Sequence, residues 1–431
     1  MKLADPKGAV QAEIVTTAFL AKGGDPAKRP VMFAINGGPG ASSAWLDLGA
    51  IGPWRVPFGL PSAAAAPVEN ADTWLDVADL VFIDPPGTGF SRVMAGDEAR
   101  RHFYSVEGDI DTLALVMRRW LETHGRMLSP KFIVGESYGG FRGPKLARTL
   151  LDGQGVGVSG LVLISPVLDF NGRDARWNPF SYVVSLPSMA ATYREAQSRD
   201  ELADVESYAT GSFLTDLLLG EGDRAAIDRL TARVAAIIGL DSSLVRRRAG
   251  RIDTSTFLRD RVPAKVGSPY DATLEATDPF PAAANDNSPD PVLDGMRGPI
   301  TSAMLFVYHA WLDWQPESAP ARQYEVLSEQ VAHEWDYGRR NGRPEVMTEL
   351  RQFLALDPST RVIVAHGLTD LVTPYFASRL LLQQLPSFGP APQVQLQTYG
   401  GGHMFYSRDG SRAALHRDAA ALVAGALAAR P

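Results

Sequence analysis

The stretch Lys131-Phe132-Ile133-Val134-Gly135-Glu136-Ser137-Tyr138-Gly139-Gly140 breaks an apolar, β-forming run at a serine set between glycines. The G-x-S-x-G spacing predicts a sharp strand-to-helix turn, with glycines where neighbouring Cβ atoms would clash. Such a turn lifts the Ser137 hydroxyl above the end of the strand. The first amides of the following helix point at the same spot, so charge developing on a bound oxygen meets donors already in place. An ordinary βα connection can carry the same letters, so the rest of the chain must decide.

Several other runs end in the same way. Val31-Met32-Phe33-Ala34-Ile35 has the unbroken apolar character of a strand buried on both faces and stops at Asn36-Gly37-Gly38-Pro39-Gly40. Asp79-Leu80-Val81-Phe82-Ile83-Asp84 stops at Pro85-Pro86-Gly87-Thr88-Gly89-Phe90-Ser91. An edge strand is expected over 12–20. A helix is expected over 106–124, where Ile110, Leu113, Val116, Met117, Trp120 and Leu121 recur at helical spacing. The helix after Ser137 carries Pro144, so its first turns are expected to be irregular or to start late. Leu161-Val162-Leu163-Ile164, the strand 360–365 and the alternating strand 394–399 complete a βα pattern. That pattern predicts an α/β fold with a mostly parallel sheet flanked by helices.

The alternation lapses over 170–342. Helices are expected there at 199–219, 223–238 and 242–250, followed by an aperiodic segment at 263–299 rich in Pro, Asp, Ala and Asn. The reading is a core of 1–169 and 343–431, with 170–342 inserted as a helical cap. A chain of 431 residues, 45% hydrophobic and 21% charged, can bury a core of that size.

The net charge of −7 and the absence of a Lys/Arg-rich block argue against nucleic acid as a partner. With no cysteine there are no disulfides, thiolate metal sites or cysteine nucleophile. His333-Glu334-Trp335-Asp336 lacks the second histidine of a zinc helix, so no metal and no cofactor are expected. His366 reads as a structural loop histidine without a partner. Trp45, Trp177, Trp311 and Trp314 read as core residues before cleft residues. The run 419–429 is too short to span a bilayer and reads as a terminal helix. The start of the chain as written carries no export signal, so a cytoplasmic protein is expected from it, or a periplasmic or secreted one if the N-terminus is truncated. The oligomeric state is left open.

A serine hydroxyl is a weak nucleophile until a base takes its proton and a third group orients that base. Asp370 follows the strand 360–365, in His366-Gly367-Leu368-Thr369-Asp370. His403 follows the last strand, in Gly400-Gly401-Gly402-His403-Met404. Alone, Asp370 fits a turn or cap carboxylate and His403 a surface loop histidine. Ser137, Asp370 and His403, each past a strand end and in that chain order, have the order of an α/β-hydrolase triad.

These blocks, in this order, resemble the serine carboxypeptidases over nearly the whole chain, and Leu163-Ile164-Ser165-Pro166-Val167-Leu168-Asp169-Phe170 is similar to the bacterial branch. The resemblance implies an α/β-hydrolase fold, a peptide substrate and cleavage of its C-terminal residue through an acyl-enzyme. Ser137 would attack, His403 shuttle the proton and Asp370 orient the imidazole. The amides of Gly38 and Tyr138 would form the oxyanion hole, while Asn36, Gly37 and Glu136 would bind the substrate's free carboxylate. An esterase, a prolyl aminopeptidase or an acyltransferase on the same fold is the alternative, and a binding protein on a dead hydrolase scaffold is a third. The family's eukaryotic members place a second glutamate where this chain has Ala50, which leaves Arg55 or Arg142 as substitutes or as exposed surface cations. The family's cysteine after Pro-Gly is here Ala41.

Overall fold

The computed structural model describes residues 1–23, 25–58, 66–171, 177–282, 290–316, 323–338, 344–388 and 393–429. Its centre is a seven-stranded sheet of β1 (Thr16–Phe19), β2 (Val31–Ile35), β3 (Asp79–Ile83), β4 (Lys131–Glu136), β5 (Gly160–Ile164), β6 (Arg361–Gly367) and β7 (Val394–Tyr399), in the order β7-β6-β5-β4-β2-β3-β1. β1 pairs antiparallel with β3 at one edge. The other six strands are parallel, so their C-terminal ends and the loops that follow them lie along one rim.

Successive strand residues point to opposite faces, and the apolar runs supply both. Met32, Ala34, Phe132, Val134, Val162 and Ile164 join one apolar cluster. Val31, Phe33, Ile35, Ile133, Leu161 and Leu163 join another. The second face is covered by α1 (Val106–Thr123) and α2 (Tyr138–Gln154). Between β5 and β6 lie α3 (Pro179–Arg194), α4 (Ala203–Tyr208), α5 (Arg224–Ile238) and α6 (Leu293–Phe306), followed past β6 by α7 (Tyr375–Leu382) and past β7 by α8 (Asp409–Ala428). α6 and α8 cover the first face through Met296, Ile300, Leu415 and Leu422. Strand order, parallel pairing and two helical layers make this an α/β-hydrolase fold.

Four expectations are corrected. The edge strand 12–20 is two strands: Val10–Glu13 pairs with Lys2–Ala4 and Arg92–Val93 in a small separate sheet, and only β1 joins the central one. α2 begins at once, at Tyr138, and Pro144 sits inside it. The proline removes one hydrogen bond to the Gly140 carbonyl, but Phe141, Leu146, Ala147 and Leu150 are buried on the sheet and outweigh that loss. The segment 263–299 is not featureless, since Lys265–Gly267 pairs with Glu275–Thr277 and α6 begins at Leu293; its stretch 283–289 lies outside the described residues, as does the expected boundary at 342/343. α3 was not expected. Val183 to Thr192 contains buried residues on nearly every side, with Pro187 within the helix, so no amphipathic stripe marks it.

Candidate active site

Ser137 is the hinge between β4 and α2. Its φ of 58° and ψ of −117° lie in a region that few non-glycine residues adopt. The turn is held from both sides: the Ser137 amide donates to Ile164 O at 2.9 Å, and its carbonyl accepts from Gly140 and Val167 at 3.0 and 3.2 Å. Of the ten residues 131–140, Ser137 alone is not buried. Close approach explains two of the glycines. A Cβ on Gly139 would come within 2.2 Å of Ile35 O, and one on Gly37 within 2.6 Å of Tyr138 N. The Gly37-Gly38 loop is thereby pressed against the elbow. Tyr138 is the first residue of α2, so its amide has no carbonyl one turn back to receive it.

Asp370 and His403 meet. His403 Nδ1 is 2.8 Å from Asp370 Oδ2. Thr373 Oγ1 donates to the same oxygen at 2.7 Å, while the amides of Val372 and Thr373 donate to Oδ1 at 2.8 and 2.9 Å. Burial alone would push the Asp370 carboxyl up. The charge and hydrogen bond of His403 and the Thr373 amide overcome it and hold Asp370 below the usual carboxylate range. The loop after β5 joins this pair to the elbow, because Ser165 Oγ donates to His403 O at 2.7 Å two residues before Val167 donates to Ser137 O. Tyr270 packs edge-on to the imidazole at 5.4 Å.

Glu136 and Asn36 also meet, both buried, beside Ser137. Asn36 Nδ2 donates to Glu136 Oε2, and Tyr406 Oη donates to Oε1 at 2.7 Å. The Asn36 side chain is itself aimed by the Leu46 amide, which donates to its Oδ1 at 2.9 Å. Burial raises the Glu136 carboxyl above its ordinary value, against the lowering effects of His403, Tyr406 and Asn36.

Arg142 is neither a substrate-facing cation nor an exposed one. It is fully buried, with Nε and Nη2 on the two oxygens of Asp109 at 2.6 and 3.2 Å. Its Nη1 donates to Asn36 O at 2.5 Å, and its guanidinium lies 4.8 Å from the centre of the Tyr138 ring. It therefore braces the loop that carries Asn36 and Gly37 from beneath. Arg55 is half-buried and faces Asp409 at 3.6 Å. His366 is not a loop histidine but a β6 residue, with Nε2 2.8 Å from Ser378 Oγ, and burial lowers it to about 4, so it is neutral. Of the four tryptophans, Trp45 is core, whereas Trp177 is 87% exposed and Trp311 and Trp314 lie at the surface. A cavity of about 1010 Å³ opens behind the Asp370 loop, lined among others by Val167, Tyr182, Arg251 and Thr373. Ser137, Glu136 and Asn36 do not line it, so it is separate from the carboxyl cluster.

Residues 18–212 match the family model described as serine carboxypeptidase. The match holds the Asn36-Gly40 loop and the elbow, and it ends before Asp370 and His403. Serine carboxypeptidase-like 40 of Arabidopsis thaliana is 35% identical over 131 residues, 28% of this chain and 24% of that protein. The pheromone-processing carboxypeptidase KEX1 of Saccharomyces cerevisiae is 30% identical over 167 residues, 36% of this chain and 22% of that protein. The matched stretch thus spans well under half the length of these relatives. The crystal structure of KEX1, a prohormone-processing carboxypeptidase, superimposes with a TM-score of 0.60 at 15% identity, covering 97% of this chain and 88% of that one. That likeness carries the hydrolase fold across the whole chain, including the half beyond the family match.

Proposed function

We propose that the chain is a serine-type carboxypeptidase that removes the C-terminal residue of peptides. The observation that carries this reading is the buried Glu136–Asn36 pair directly beside Ser137, a carboxyl group kept where a substrate carboxylate is to be recognised. Ser137 Oγ attacks the last peptide carbonyl while His403 takes its proton, and Asp370 holds the imidazole in the tautomer that can accept it. The amides of Gly38 and Tyr138 receive the oxyanion. His403 then returns the proton to the leaving amino acid, and water repeats the sequence on the acyl-enzyme. Glu136, raised by burial, binds while neutral: its proton is donated to the substrate carboxylate, with Asn36 and the Gly37 amide beside it, where an ionised Glu136 would repel.

The segment 163–170 supports a place among the bacterial members. Residues 170–342 we read as an insertion whose helices as far as α5 cap the rim while α6 packs on the sheet face, a reading supported by a third apolar cluster in which Val183, Leu186, Leu230 and Val234 pack with Leu368, Leu371 and Tyr375. The test is a blocked dipeptide compared with its C-terminal amide. Hydrolysis of the free acid is expected to exceed that of the amide by at least about tenfold in kcat/KM, the worth of one lost charge-assisted hydrogen bond. Equal or faster cleavage of the amide defeats the reading.

A further inference from the structure

The Glu136 carboxyl has two fixed donors. Asn36 Nδ2 takes Oε2, and Tyr406 Oη takes Oε1 at 2.7 Å. Tyr406 has no freedom to leave. It is fully buried on the short turn Phe405–Ser407 that follows His403, its ring is edge-on to Phe58 at 6.1 Å, and Gly49 admits it so closely that a Cβ there would stand 3.1 Å from Cε2. No carboxyl from the segment 46–51 approaches Glu136: Ala50 has none, and Asp47 keeps its two oxygens buried without a hydrogen-bond partner while Asp84 acts on its charge. The groups that act on Glu136 are thus His403 and Asp370 from the loops after β7 and β6, Tyr406 and Asn36, while Glu136 in turn raises the nearby Tyr270 hydroxyl.

We infer that Tyr406 is a positioning residue for carboxylate reading: its hydroxyl clamps Oε1 of Glu136, turns the Oε2 edge beside Asn36 toward the substrate, and limits how far up the pH scale that reading extends. The inference rests on the carboxypeptidase reading above. The physical step is short. Tyr406 is itself pushed far up by burial and by Glu136, so it stays protonated and remains a donor. A permanent donor favours the ionised form of its acceptor, and only neutral Glu136 binds a carboxylate. Removing the hydroxyl therefore keeps Glu136 neutral to higher pH.

The experiment measures kcat/KM against pH for wild type and Tyr406→Phe, on a blocked dipeptide and on its C-terminal amide. In the wild type the free acid is expected to show an alkaline limb that the amide lacks. Tyr406→Phe is expected to move that limb upward by about one pH unit, with the amide profile unmoved. If the wild type prefers the acid and its limb stays put or falls in the variant, the role of Tyr406 is overturned while the carboxypeptidase reading stands. If the wild type has no preference for the acid, both fall. Should Tyr406→Phe not fold, a fluorinated tyrosine at 406, a stronger donor of nearly the same shape, is expected to move the limb downward, and an unmoved limb again overturns the inference.

Discussion

Thr373 does more for the Asp370–His403 pair than its place in the chain advertises. Its hydroxyl donates to Asp370 Oδ2 at 2.7 Å, lies 3.0 Å from His403 Nδ1 and reaches Ser165 O at 3.0 Å, while its amide serves Asp370 Oδ1. With Nδ1 protonated toward Asp370, the acceptors in reach are Asp370 Oδ2 and Ser165 O; one hydrogen cannot satisfy both, and the ionised carboxylate is the stronger. The hydroxyl therefore drains charge from the oxygen that faces His403. Thr373→Val keeps the shape and the amide but loses that donor, so Asp370 pulls harder on the imidazole proton. The acid limb of kcat/KM is expected to rise by about half a pH unit to one unit, with kcat at the plateau about tenfold lower. A pH–rate profile checks this, and an unmoved limb counts against it. The placement of Ser137, Asp370 and His403 just past strand ends was legible in sequence because local pattern, apolar for β4 and β6 and alternating for β7, encodes where a strand stops. Tyr406 and Arg142 were not, because their roles depend on partners 270 and 33 residues away. The signal for Tyr406 was its place three residues after His403, in the same loop.

Among elements, α4 and α7 are joined through one buried carboxylate. Glu206 on α4 is buried, and accepts from Tyr375 Oη at 2.9 Å and Arg379 Nη1 at 2.6 Å, both on α7, and from Arg199 Nε at 2.9 Å. Since α7 starts five residues after Asp370, this carboxylate ties α4 to the element that follows the Asp370 loop. Glu206→Gln keeps the volume but removes the charge that both arginines face. It is expected to lower the unfolding free energy by about 1–3 kcal/mol in urea titrations. An unchanged midpoint would show that the two layers are held by apolar packing alone. The strands were legible for a simple reason: a strand buried on both faces is written as an unbroken apolar run, and β2, β3 and β5 fall where that run predicts. α3 is not legible for the converse reason, since a helix buried nearly all round carries no stripe, and α2 starts earlier than Pro144 suggests because its burial overrides what the proline costs locally.

Across the whole molecule, the loops after β2 and β3 are joined by one buried acid. Asp84, at the end of β3, accepts the Ser43 amide at 2.8 Å, and a Cβ on Gly89 would run into its other oxygen. Burial raises this carboxyl to about 7, against the lowering effect of the Ser43 and Phe90 amides. In the unfolded chain an aspartate sits near 3.9. Below about pH 4 both states hold the proton, and the stability that Asp84 contributes is fully present. From about pH 4 to about pH 7 the unfolded chain releases the proton and the folded one keeps it, so that stability is progressively lost, and above about 7 no more is lost. Asp47, Asp109 and Glu136 are raised in the same direction, whereas Asp79 and Asp370 are lowered and work against the trend. The total slope therefore mixes several groups, but one substitution isolates Asp84. Asp84→Asn removes the titration, and the acceptor it loses costs the same at every pH, so the slope alone is informative. Between about pH 5 and about pH 8 the wild type is expected to lose about 2–3 kcal/mol relative to Asp84→Asn, read as the difference between two series of denaturant titrations. Parallel curves for the two proteins would mean that Asp84 is ionised in the folded state throughout, with Ser43 and Phe90 outweighing its burial.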